Sequence, residues 1–114
     1  MPTIYKIVPE TMWRAAEQAG VFTGSEVDSR DGFIHFSTAA QAAETAAKHF
    51  AGQRDLLLVG VDSERLGDAL KWEPSRGGAL FPHLYGPLRT DLATLVVPLP
   101  LDLDGQHRFP DLKD

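Results

Sequence analysis

Cysteine is absent from these 114 residues, which excludes disulfides, a thiolate nucleophile and zinc–thiolate sites. Positive charge is scarce: 11 Lys and Arg stand against 16 Asp and Glu, a formal net charge of -5. Tight contact with a phosphate backbone usually needs a basic face, so strong nucleic-acid binding is not expected. Long apolar runs are also missing. The longest, LLLVGV and LVVPLPL, are far too short to span a bilayer. The opening MPTIYKIVPE lacks the basic segment and long apolar stretch of a signal peptide. A cytoplasmic protein without membrane contact is expected. There is no GxGxxG and no P-loop, so neither standard phosphate cradle applies.

What is present reads as one globular domain over residues 1–114, with 43% hydrophobic and 24% charged residues. TIYKIV (Thr3–Val8) alternates like a strand, and the helix after Pro9 should stop at Gly20. VFTGSEVDSRDG reads as a long connection with one helical turn around Ser25–Asp28. DGFIHFST (Asp31–Thr38) alternates as a strand with Gly32, Ile34 and Phe36 on one face and Phe33, His35 and Ser37 on the other. Thr38 and Gln41 have capping-box spacing, followed by an apolar stripe of Ala43, Ala46, Ala47 and Phe50.

DLLLVGVD (Asp55–Asp62) is apolar enough for a central strand. SERLG is a turn, ALKWEP a short strand and SRGG a loop. ALFPHLYGPL holds two prolines and a glycine, which argues against a regular central strand throughout. DLATLVVPL is the last strand, and a polar tail from Asp102 should wrap or fray. Helices come early and strands late, an α+β order.

Three clusters carry the polar chemistry. His35 lies with Ser37 on a strand face, Glu73 beside Trp72 at a strand end, and His83 with Tyr85 in a proline-bounded turn. Each has a purely structural reading: a satisfied core histidine, a solvated strand end, a rigid turn. Together they have the make-up of a pocket for a polar aromatic ligand, mostly apolar with a few convergent polar groups. A Ser–His hydrolase lacks its nucleophile elbow and an evident orienting carboxylate. His35, His83 and Glu73 have the composition of a two-histidine, one-carboxylate metal set, but their spacing is unspecific and no metal is expected.

GFIHFST, LKWE and FPHLYGPL, in that order after Ile4-Tyr5-Lys6-Ile7, resemble the bacterial domain-of-unknown-function family 952 (DUF952) over nearly the whole chain. DGFIHFSTAAQAAETAAKHF followed by DLLLVGVD is also similar to the NAD-binding lobe of the RNA 2'-phosphotransferases. That second resemblance implies an ADP-ribosyltransferase-like split β-sandwich with two main helices and NAD in the cleft between two small sheets. Lys6 stands where such enzymes usually carry a histidine or arginine, and the RNA-gripping lobe is missing.

The resemblance implies ADP-ribosyl transfer or NAD cleavage, with the alternative of a non-catalytic module for a nucleotide or other small ligand. On that reading Glu73 stabilises the charge developing on the ribose, with His35 and His83 as further catalytic candidates. Phe33, Trp72 or Tyr85 stack on a ring of the cofactor, His35 and Ser37 bond its hydroxyls or carboxamide, and Lys6 or Arg76 offset the diphosphate.

Overall fold

The computed structural model describes residues 2–113. Among them the chain runs β1 (Thr3–Pro9), α1 (Glu10–Ala19), β2 (Val21–Phe22), α2 (Glu26–Asp31), β3 (Ile34–His35), β4 (Ser37–Thr38), α3 (Ala39–His49), β5 (Leu56–Asp62), β6 (Leu70–Pro74), β7 (Leu80–Leu84), β8 (Leu88–Arg89) and β9 (Ala93–Pro98). The strands form a four-stranded sheet in the order β4-β1-β5-β9, a three-stranded sheet β3-β7-β6 and a ribbon β2-β8, all antiparallel. The coarse expectation of a mixed α+β chain with small sheets therefore holds.

Local chemistry explains most boundaries. Gly20 adopts a left-handed φ of 82° and ends α1, as its lack of a Cβ allows. Thr38 and Gln41 close a reciprocal capping box at the start of α3. The single turn expected around Ser25–Asp28 extends into a full short helix, α2, with a capping box of its own between Ser25 and Asp28. In α3 the stripe differs from expectation. Ala42 and Ala46 are buried while Ala43 and Ala47 are exposed, because the helix rotates to lay Ala46 and Phe50 against the Tyr5–Leu58 side of the sheet.

β5 is central as expected, with six of its seven residues buried. Alternation then divides the apolar side chains. Ile4, Val8, Val59 and Val61 join Trp13, Phe22, Ile34, Phe36 and Leu84 in one cluster. Tyr5, Ile7, Leu56 and Leu58 join Ala46 and Leu99 in the other. Trp13 and Phe22 are both almost wholly buried and meet at 5.8 Å between ring centres. Burying a side chain of that size is worth about 1.5–3 kcal/mol.

One expectation is corrected. The stretch 31–38 is not one strand: β3 belongs to the three-stranded sheet and β4 to the four-stranded sheet, and Phe36 forms the corner between them. The expectation for ALFPHLYGPL holds: β7 ends at Leu84, residues 85–87 lie outside any strand and β8 begins at Leu88, with Pro82 itself in β7 between β3 and β6. The Pro82 carbonyl accepts from the Phe36 N–H at 3.0 Å.

That corner opens the space beside β1. β4 pairs only with Ile4 and Tyr5. When the chain leaves at Phe36, the Lys6–Ile7 edge of β1 is uncovered and a gap forms between the two sheets. The tail wraps rather than frays. Phe109 and Leu112 pack against the second cluster, and the Tyr5 hydroxyl both donates to the Lys113 carbonyl at 2.6 Å and accepts its N–H at 3.1 Å. No described helix is long and apolar enough to cross a membrane.

Candidate functional site

The gap is a cleft of about 560 Å³, within the range of small-molecule sites. Its walls come from β1, α1, α2, the β3–β4 corner, α3 and β7. Ile7, Met12, Phe36, Phe50 and Phe81 supply apolar surface, and Lys6, His35, Ser37 and His83 bring polar groups to it. His35 and Ser37 reach the cleft as the alternation predicts and Ile34 stays in the core, while Phe36, itself buried, adds apolar surface to the cleft at the corner.

At one end Asp28 organises the site. Its Oδ2 lies 2.9 Å from Lys6 Nζ and 2.8 Å from the Ser25 N–H. Its Oδ1 accepts from Lys6 Nζ at 3.0 Å, from the His35 N–H at 3.1 Å and from His35 Nδ1 at 2.6 Å. Burial pushes the Asp28 carboxyl up, but the His35 bond, the Lys6 charge and the Ser25 N–H outweigh it and hold the group well below the usual carboxylate range. Burial pulls the Lys6 ammonium down, against the opposing pull of Asp28. On the other side of the imidazole, His35 Nε2 lies 3.0 Å from Asp31 Oδ2. Asp28 and Asp31 are the orienting carboxylates the sequence reading missed. The only signal was the Ser25-x-x-Asp28 capping spacing, which explains a helix end but says nothing of a buried ion pair.

Ser37 turns the other way. Thr45 donates its hydroxyl proton to the Gln41 carbonyl at 3.1 Å, so the Ser37 hydroxyl is the donor in their 2.8 Å contact. The proton of Ser37 is thereby directed at Thr45, not at a histidine.

The second histidine sits on the same sheet as the first, in register with it: His35 is opposite His83 across β3 and β7, with ring centres 5.5 Å apart. His83 Nδ1 lies 2.8 Å from Glu73 Oε1, and Tyr85 donates its hydroxyl to the same oxygen at 2.7 Å. These two bonds, from Tyr85 first and His83 second, lower the Glu73 carboxyl, and the carboxylate in turn raises the Tyr85 phenol. Phe33 stacks on His83 at 4.0 Å with 25° between planes, and lies 5.2 Å from the Tyr85 ring.

Of the residues singled out by sequence, Lys6, His35, Ser37 and His83 line the cleft, and Phe33, Glu73 and Tyr85 adjoin it through His83. Trp72 is not brought there. It pairs with Pro82 in β6, and strand alternation turns it to the opposite face from Glu73. The side chain of Arg76 lies outside the described residues. Among the described residues no group of three or more metal-ligating side chains could hold a metal ion.

Residues 7–96 match a family described as a protein of unknown function, DUF952. The chain is also similar to the crystal structure of protein CC0527 from Caulobacter crescentus, with 54% identity, 93% of each chain covered and a TM-score of 0.90. The solution NMR structure of CC0527 gives 55% identity over 93% of this chain and 91% of that one, with a TM-score of 0.84. A search of the curated proteins finds no match.

Proposed function

Because this chain belongs to the DUF952 family, whose description names no activity, we propose from its geometry that it binds a nucleotide-type ligand, NAD in the first instance, between its two sheets and cleaves the nicotinamide–ribose bond. The observation that carries this reading is the convergence of His35, Ser37 and His83 on one apolar-walled cleft. Rings of the ligand lie against Phe36 and Phe81 and its hydroxyls meet the Ser37 oxygen, while His83 faces the bond that breaks and His35 stays held by Asp28 and Asp31. The two small sheets hinged at Phe36 support an ADP-ribosyltransferase-like split β-sandwich, the arrangement in which such a ligand sits between sheets.

Breaking the glycosidic bond leaves positive charge on the ribose. Glu73, kept ionised by Tyr85 and His83, supplies the opposing negative charge through the rim of the cleft. NAD at millimolar concentration should raise the melting temperature and release nicotinamide. Glu73→Gln should lower that release by about 100-fold or more while leaving the thermal shift in place, and His35→Ala should reduce both. Neither shift nor release from the wild-type protein at that concentration would end the reading.

A second reading keeps binding and drops turnover. It is favoured by Lys6, whose ammonium is spent on both oxygens of Asp28, leaving the first strand without a ready donor for the ligand. A thermal shift with NAD or ADP-ribose and no nicotinamide release would select it.

A further inference from the structure

His83 combines three features that a purely structural histidine does not need. Its residue is only 5% exposed, yet it lines the cleft. Its ring is held twice: Phe33 stacks on the plane at 4.0 Å, and Glu73 fixes rotation through Nδ1 at 2.8 Å. Its other nitrogen, Nε2, meets no hydrogen-bond partner among the described side chains, and no buried side-chain nitrogen or oxygen among them is left unpaired. Nε2 is therefore reached by solvent rather than sealed in the core, on a residue that lines the cleft.

The tautomer follows from the partner. An ionised carboxylate only accepts hydrogen bonds. Glu73 is an ionised carboxylate and its Oε1 already accepts a hydrogen bond from the Tyr85 hydroxyl at 2.7 Å, so the proton between His83 and Glu73 belongs to Nδ1. In the neutral ring Nε2 then carries a lone pair directed at whatever occupies the cleft. His35 differs, since both of its nitrogens face carboxylates, Asp28 and Asp31. The two histidines have separate tasks.

We infer that His83 is a general base whose Nε2 takes the proton of a hydroxyl-bearing acceptor, water or an alcohol, and that Glu73 is the positioning residue that sets its tautomer. This rests on the proposed cleavage of NAD and names the class of acceptor for it. The nicotinamide–ribose bond breaks and nicotinamide leaves neutral with the bonding pair. The acceptor oxygen bonds to the ribose carbon, and its proton passes to Nε2. The imidazolium so formed is stabilised by the Glu73 carboxylate already on Nδ1, and returns the proton to solvent. An acceptor that is already anionic does not need this base.

That last point supplies the test. His83→Asn should lower NAD hydrolysis by about 100-fold or more with the KM for NAD little changed. Sodium azide should restore nicotinamide release in the variant and yield ADP-ribosyl azide. Lack of rescue, with wild-type enzyme active, overturns the inference and leaves the NAD reading standing.

Nitrogen-15 NMR of the histidines decides the tautomer without any ligand. The expected wild-type signature is a protonated Nδ1 and a bare Nε2. Glu73→Ala should abolish the tautomer preference while the fold persists by circular dichroism. A proton resident on Nε2 in the wild-type protein overturns the inference even if NAD is cleaved. Absence of NAD cleavage overturns the acceptor assignment together with the reaction it rests on, while a bare Nε2 still marks that nitrogen as the acceptor for a ligand hydroxyl.

Discussion

Asp28 holds more of the structure than any other polar side chain described, since it meets a lysine, a histidine side chain and two main-chain N–H groups. Lys6 and Asp28 are both buried, so removing one charge strands the other. Lys6→Met should cost about 3–5 kcal/mol, read as a lower urea midpoint with an unchanged slope. The same carboxylate links stability to acid. Its folded form releases its proton more readily than the unfolded chain, so its contribution is complete at neutral pH and is lost as pH falls below about 4. Urea titrations from pH 7 to pH 2 should show this loss, and Asp28→Asn, less stable at pH 7, should flatten it. None of this was visible at residue scale in the sequence. Lys6 read as a free cation for a diphosphate because its partner lies 22 positions away on a helix that looked like a loop.

Among the elements, α2 is the one through which the site is most easily disturbed. It is six residues long and rests on a capping box that uses Asp28 itself. Ser25→Ala should cost about 1 kcal/mol. Gly24→Ala should cost more, about 1–3 kcal/mol, since Gly24 has a φ of 111° and an added Cβ would come within 2.8 Å of the Asp28 Cβ. Both losses can be measured by thermal unfolding, and the His35 resonances should shift in the glycine variant. Several element ends were legible because their causes are local: Gly20 after α1, Thr38 and Gln41 before α3, the apolar run of β5. The split of residues 31–38 between two sheets was not. Alternation reports which way a side chain points and is silent on which neighbour the backbone pairs with. The break after Leu84 was legible, because Gly86 and Pro87 act locally.

For the molecule as a whole, the tail closes the face of the four-stranded sheet away from the Trp13 cluster. His107 donates from Nε2 to the Gln53 carbonyl at 2.8 Å, Leu101 bridges to His107, and Phe109, Leu112 and Lys113 finish the cover over Tyr5. Ending the chain at Arg108 should destabilise it by about 2–3 kcal/mol through loss of two half-buried apolar side chains. Tyr5→Phe should cost about 1 kcal/mol. Denaturant curves test both. Tyr5, Ile7 and Phe50 both carry the tail and line the cleft, so ligand-induced thermal shifts should shrink in the truncated chain.

Composition and periodicity by themselves determined the α+β class, the central apolar strand, the helix caps and the shared face of His35 and Ser37. These follow from local torsional preferences and from the two-residue repeat of a strand, which need no knowledge of distant partners. Only the tertiary structure decided that Asp28 and Asp31 flank His35, that Glu73 reaches His83 and that Trp72 faces away. Those pairings join residues from different elements, and they form only when β6 and β7 pair and the Phe36 corner sets β3 beside β1 and α2.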